Sequence, residues 1–166
     1  VKNAGQHSYE HECRIRDYYA AELERHRPNE RLVARENSYA GTTVRADMRT
    51  IDRTNTVRLW EFKIHASYEA LGQILVYVAM ARRAEGYDPL IRGVIAAFDF
   101  LPELVDTVER LNLNIELVTL PRVLALAGRI PTNHSPVAIP VIPSFTSHSF
   151  SLDVNHQPAK RQEYPK

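Results

Sequence analysis

Cysteine is almost absent from this chain: Cys13 stands alone, so neither an intramolecular disulfide nor a cysteine-rich zinc site is available. That scarcity fits a reducing compartment. No run approaches the roughly 18 consecutive apolar residues of a membrane span, and the first residues lack a signal-peptide core. A cytoplasmic protein with no membrane partner is therefore expected. Charge of one sign is not in excess either. The net charge is +1 and the isoelectric point is near 8.1, so bulk charge argues neither for nor against nucleic acid, and any basic surface has to be local. There is no internal repeat and no low-complexity tract. With Val1 instead of Met at its start, the sequence is expected to be a piece of a longer protein or one that has lost a tag.

What is present is a globular composition, 25% charged and 44% hydrophobic over 166 residues, enough for one domain with a core. Arg14, Arg16, Arg25, Arg27, Arg31, Arg35, Arg45, Arg49, Arg53 and Arg58 crowd the first part of the chain. They predict a basic face there, against the alternative that neighbouring Glu and Asp offset them one by one.

Hydrophobic periodicity places the elements. A helix is expected over residues 10–27, with Glu12, Ile15 and Tyr19 on one side and Pro28-Asn29 as its stop. A strand over 31–37 follows, then a hairpin of 43–51 and 56–64 around Asp52-Arg53-Thr54-Asn55. Ser67 caps a helix running to Glu85, which Gly86 closes. Strands at 90–98 and 115–120 alternate with helices at 102–111 and 121–127. Prolines 131, 136, 140, 143 and 158 then predict an irregular C-terminal arm over 131–166, with an edge strand at 149–154. The order is that of an α/β protein with a mixed central sheet flanked by helices, over a domain of residues 1–130.

Within that frame Leu59-Trp60-Glu61-Phe62-Lys63-Ile64 stands out, because it sets a carboxylate and an ammonium in an apolar strand. A period of two puts Glu61 and Lys63 on one face and Trp60, Phe62 and Ile64 on the other. Across the hairpin, Asp47 lies at the matching position. Asp47 and Glu61 offer the hard oxygen ligands that Mg²⁺ asks for, with Mn²⁺ as a substitute and the Phe62 backbone carbonyl as a third ligand. Lys63 then stands beside an attacking water or a scissile phosphate, as a charge or as a base. Gln73 and Tyr77, four apart on the next helix, share a face that can be aimed at the same point. The competing reading is a Glu-Lys and Asp-Arg ion-pair network with no function.

In this ordered set the chain resembles the PD-(D/E)XK nuclease superfamily, in its RecB-like, exonuclease-like branch. The residues that carry the resemblance are Asp47, Glu61-Phe62-Lys63 and Gln73-Ile74-Leu75-Val76-Tyr77, over roughly residues 10–120. It implies a restriction-endonuclease-like core and a metal-dependent nuclease. It also implies a further glutamate from the first helix, Glu12 in preference to Glu10, with Glu36 as an additional helper at the metal. No proline precedes Asp47, a departure from the family's name-giving motif.

The histidines compete weakly: His65 shares the parity of Glu61 and Lys63 and is expected to line the same cleft, and His7 and His11 are four apart. Without His-Glu-x-x-His, zinc catalysis is not expected. Cys13 reads as a small buried hydrophobe, and Tyr18, Tyr19, Tyr39 and Tyr68 read as packing residues or as platforms for unpaired bases. The expected partner is nucleic acid, DNA before RNA, alongside a second copy or a larger protein complex. Two other functions fit the same sequence: a catalytically silent nucleic-acid-binding or assembly module, and a protein-interaction module using the arm.

Overall fold

Alternation of apolar residues builds a five-stranded sheet in the order β1-β2-β3-β4-β5, seen in a computed structural model that describes residues 4–127. Its strands are β1 (Glu30–Ser38), β2 (Arg45–Asp52), β3 (Val57–Ala66), β4 (Ile91–Phe100) and β5 (Ile115–Thr119). The first three form an antiparallel meander, whereas β3, β4 and β5 run parallel. Parallel neighbours need crossovers, and the helices α3 (Tyr68–Glu85) and α4 (Pro102–Arg110) supply them. Helices α1 (Ala4–Ala21), α2 (Leu23–His26) and α5 (Val123–Ala127) complete the described chain. The expected arm over 131–166, with its edge strand at 149–154, lies outside the described residues.

The central strands sort their side chains with a period of two. Leu59, Ile91, Ile95 and Ala97 join Ala70, Leu71, Ile74, Leu104 and Val108 in one layer. Trp60, Phe62, Val94, Ala96 and Phe98 join Ile15, Tyr19, Leu23 and Leu124 in the other. Each large side chain so buried contributes about 1.5–3 kcal/mol. The one polar atom of Trp60 is matched, since Nε1 donates to Thr50 Oγ1 at 2.9 Å. Where α3 crosses β4 the layers touch: a Cβ at Gly93 would lie 2.7 Å from Ile74 Cγ1.

Local chemistry sets the boundaries. The Asp52 carboxylate accepts from the Thr54 and Thr56 amides, at 2.8 and 3.0 Å, and so closes the β2–β3 turn. Ser67 accepts from Glu69 N–H at the start of α3, and Gly86, at φ +77°, ends it. The first helix differs from its expected extent. It begins at Ala4 and breaks at Glu22, where the short α2 lets Leu23 enter the core and turns Arg27 toward Glu30 and Glu116. Strand β1 is an edge strand with a register shift between Leu32 and Ala34, which leaves Leu32 and Val33 exposed. Among the described residues no helix is long and apolar enough to cross a membrane.

Candidate active site

The β2–β3 ladder stops early. Met48 pairs with Trp60 and the register continues to Ile51 and Val57, but no backbone pair follows on the Asp47 side. Strand β3 therefore presents amide groups without a strand partner, and buried amides need acceptors. Side chains supply them: Asp47 Oδ2 accepts from Phe62 N–H at 2.8 Å, and Glu12 Oε1, from α1, accepts from Ile64 N–H at 3.3 Å. Two acidic residues are thus held at the gap by the backbone of the strand that carries Glu61 and Lys63.

Glu61 faces into the same gap and is only 2% exposed. The Tyr77 hydroxyl donates to its Oε2 at 2.8 Å, and Lys63 Nζ lies 2.7 Å from its Oε1. Lys63 Nζ is also 3.8 Å from Glu12 Oε2. Glu12, Asp47, Glu61, Lys63, Gln73 and Tyr77 line one cleft of about 530 Å³, together with Tyr9, Cys13, Arg45, Glu69, Gly72 and Val76 among others.

The electrostatics follow from packing three carboxylates around one ammonium. Burial, then the nearby Asp47 charge, pushes the Glu61 carboxyl up to about 7. Burial likewise raises Asp47 and Glu12, outweighing the pull of Lys63. Burial works against the Lys63 ammonium, yet Glu61, Glu12 and Asp47 together hold its pKa above the ordinary value. Burial and the Glu61 charge raise the Tyr77 phenol, so it stays a donor. Gln73 contributes one more unbalanced group, a buried Oε1 with no hydrogen-bond partner among the described residues.

Several expected residues sit elsewhere. Glu36 is outside the cleft lining: it adopts φ +54° on β1 and binds Arg16 and Arg45, each at 3.2 Å. Glu10 does not line the cleft either. His65 is exposed and pairs with Asp99 at 3.1 Å, because β3 continues past the cleft before its alternation ends. Cys13 is half-buried on the cleft wall instead of fully buried. The basic face is largely cancelled, since Arg16, Arg25, Arg27, Arg35, Arg45, Arg49 and Arg58 each hold a carboxylate. Tyr9, Arg45, Glu69 and Gly72 also line the cleft, beyond the residues that stand out in the sequence. Arg45 had a signal, two positions before Asp47 on an alternating strand, whereas Tyr9 depends on how α1 docks.

A divalent cation fits this donor set. The carboxylates outnumber the ammonium, and the orphaned Gln73 oxygen asks for a donor such as a water. Among the described residues no three His, Cys, Asp or Glu side chains form a ready-made cage. Mg²⁺ does not demand one, since it keeps several waters and takes one or two carboxylates with the rest from phosphate oxygens.

The sheet, its helices and the cleft at the end of the β2–β3 ladder together define a restriction-endonuclease-like fold. No protein-family model matches the chain, and neither does any curated protein. Solved structures do. A structure titled as an EndoMS complex with double-stranded DNA aligns with a TM-score of 0.54 at 18% identity, over 66% of this chain and 45% of that one. A repair endonuclease from Pyrococcus abyssi aligns with a TM-score of 0.50 at 18% identity, over 63% of this chain and 46% of that one. The chain thus spans less than half the length of either protein.

Proposed function

We propose that this protein is a metal-dependent nuclease that hydrolyses phosphodiester bonds in DNA, with the residue set of the PD-(D/E)XK superfamily's RecB-like branch. The observation that carries the reading is the convergence of Glu12, Asp47, Glu61 and Lys63 where β2 and β3 part. Two solved structures similar to this chain are an EndoMS complex with double-stranded DNA and a repair endonuclease, which supports nuclease chemistry on DNA here.

In this reading Asp47 and Glu61 hold Mg²⁺ or Mn²⁺, with Glu12 and the Phe62 carbonyl as further ligands. The carbonyl suits the role because the N–H and C=O of one strand residue leave on the same side, and Phe62 N–H points to Asp47. When bound, such a cation lowers the pKa of a water and offsets charge on the phosphoryl oxygens. Asp47 is held by one oxygen, which leaves the other for a ligand. Tyr77 fixes Oε2 of Glu61 and so turns Oε1 toward Lys63 and the cleft. Lys63 supplies positive charge beside the scissile phosphate and a hydrogen bond that orients the attacking water, or serves as the base that takes its proton. Gln73 accepts a hydrogen bond from a water in the same cleft. Glu36 serves indirectly, by holding Arg16 and Arg45 near Asp47.

The test is mutational. Glu61→Ala and Lys63→Ala are expected to lower metal-dependent DNA cleavage by at least about 10²-fold while the far-ultraviolet circular dichroism stays that of the parent. Parent-like cleavage by a pure preparation of either variant contradicts the assignment.

A further inference from the structure

Gly72 sits inside α3, where glycine weakens a helix relative to alanine. Nothing among the described residues demands it: a Cβ built there meets no atom within 4 Å. Its bare backbone instead forms part of the cleft wall, beside Gln73 and its unpartnered buried oxygen. Tyr68 and Val76 stand one turn before and one turn after it, 56% and 44% exposed. The i, i+4, i+8 spacing puts all three on one line of the helix surface, continuous with the cleft through Gly72 and Val76.

Charge decides what lies against this line. Glu69 is the one acidic side chain that α3 gives to the cleft wall, and it repels phosphate, whereas Arg45, whose 47% exposed side chain also holds Glu36 and Tyr9, stands on the part of the lining that β2 contributes. A polynucleotide therefore turns its phosphates toward Arg45 and its apolar sugar and base surfaces toward α3. We infer that Tyr68–Gly72–Val76 is the face along which a nucleic-acid strand leaves the carboxylate centre. Gly72 is its point of closest approach to a sugar, and Tyr68 is the platform for a base at the end of the line. This assignment rests on the nuclease reading and extends it to the substrate's path.

The experiment compares Gly72→Ala, Gly72→Leu and Tyr68→Ala in the full chain. Ala79→Leu, on the same exposed face of α3 but outside the cleft lining, is the control. Melting temperature is read in chelator, and KM for a single-stranded DNA oligonucleotide is read in Mn²⁺. Both Gly72 variants are expected to melt about 2–4 °C higher, because helix propensity improves and the added side chain is free. KM is expected to rise about threefold for the alanine and tenfold or more for the leucine and for Tyr68→Ala, with Ala79→Leu like the parent. A Gly72→Leu protein with parent-like KM overturns the inference. So does a fall in its melting temperature, which would place the glycine's reason inside the protein. A changed oligomeric state with unchanged KM assigns the face to a second copy and likewise overturns it. A parent that cleaves no DNA at all overturns the nuclease reading itself.

Discussion

Glu61 is a carboxylate in a place where an isolated charge does not belong, and the Asp47 charge beside it adds to the cost, which Lys63 and Tyr77 only partly offset. Its pKa is pushed to about 7, and those of Asp47 and Glu12 are raised as well, all chiefly by burial. The linkage has a definite sign. A carboxyl whose folded pKa exceeds its unfolded value adds stability that is complete at low pH and is lost as pH rises, here between the ordinary 4.5 and about 7 for Glu61. Asp47→Asn keeps an oxygen for Phe62 N–H and removes one charge. In chelator at pH 8 it is expected to be more stable than the parent by about 1–2 kcal/mol, or roughly 3–6 °C in melting temperature. Addition of Mg²⁺ or Mn²⁺ should raise the parent's melting temperature and leave that of the variant nearly unchanged. Equal melting temperatures in chelator would contradict the charge-surplus account. Glu61 and Lys63 were legible in the sequence because charges in an apolar alternating strand are conspicuous. The bond from Ile64 N–H to Glu12 was not, since it depends on where α1 lies relative to β3.

At the scale of elements, the two ends of β3 do opposite things. At one end β2 departs and acidic side chains fill the gap. At the other, Arg58 binds Asp52 at 2.8 Å and Glu116 at 3.2 Å, and Arg27 bridges Glu30 to Glu116 while lying over the Trp60 ring. The arginines that the sequence offered as a basic face are therefore mostly structural, and only Arg45 reaches the cleft lining. Linear sequence hid this because most of the carboxylates come from other elements, Asp17 from α1, Glu36 from β1, Asp52 from the end of β2, Glu85 from α3 and Glu116 from β5. The strands themselves were legible to within a few residues, since periodicity and turn chemistry agree. The break at Glu22 was not, because it serves a contact of Leu23 with distant core residues. Arg58→Ala leaves several carboxylates without their partner and is expected to cost about 3 kcal/mol in urea unfolding. The pKa of Glu116 is lowered, its burial outweighed by Arg27 and then Arg58, and that of Asp52 is lowered by Thr54 and Arg58. Their contribution is present above the ordinary carboxylate range and is lost as pH falls below about 4.5. The parent should thus lose stability on acidification more steeply than the variant.

As a whole molecule, the described chain is a restriction-endonuclease-like core whose cleft opens at the end of the β2–β3 ladder. Fold class was legible because helix, meander, helix, strand, helix, strand admits few arrangements under short, right-handed connections. In the cleft, Asp47, Glu61, Lys63, Gln73 and Tyr77 were legible because they lie on β2, β3 and α3, whose registers are fixed by the hairpin and by the Ser67 cap, whereas Glu12 on α1 was reached through the family resemblance alone. Expectations that projected strand parity beyond the gap, such as His65 in the cleft, failed because the cleft wall ends before the strand does. In the proposed function one such centre would cut one strand at a time, so cleavage of both strands would require two copies or two successive events. The most direct measurement incubates the pure protein and its Asp47→Asn variant with end-labelled linear DNA and with closed circular DNA, in Mg²⁺, in Mn²⁺ and in chelator. Cleavage by the parent is expected with either metal and none in chelator, with the variant at least about 10²-fold slower. Cutting of the circle marks an endonuclease, and loss confined to linear ends marks an exonuclease. Cleavage that persists in chelator, or a parent that binds DNA and never cuts it in either metal, would contradict the account.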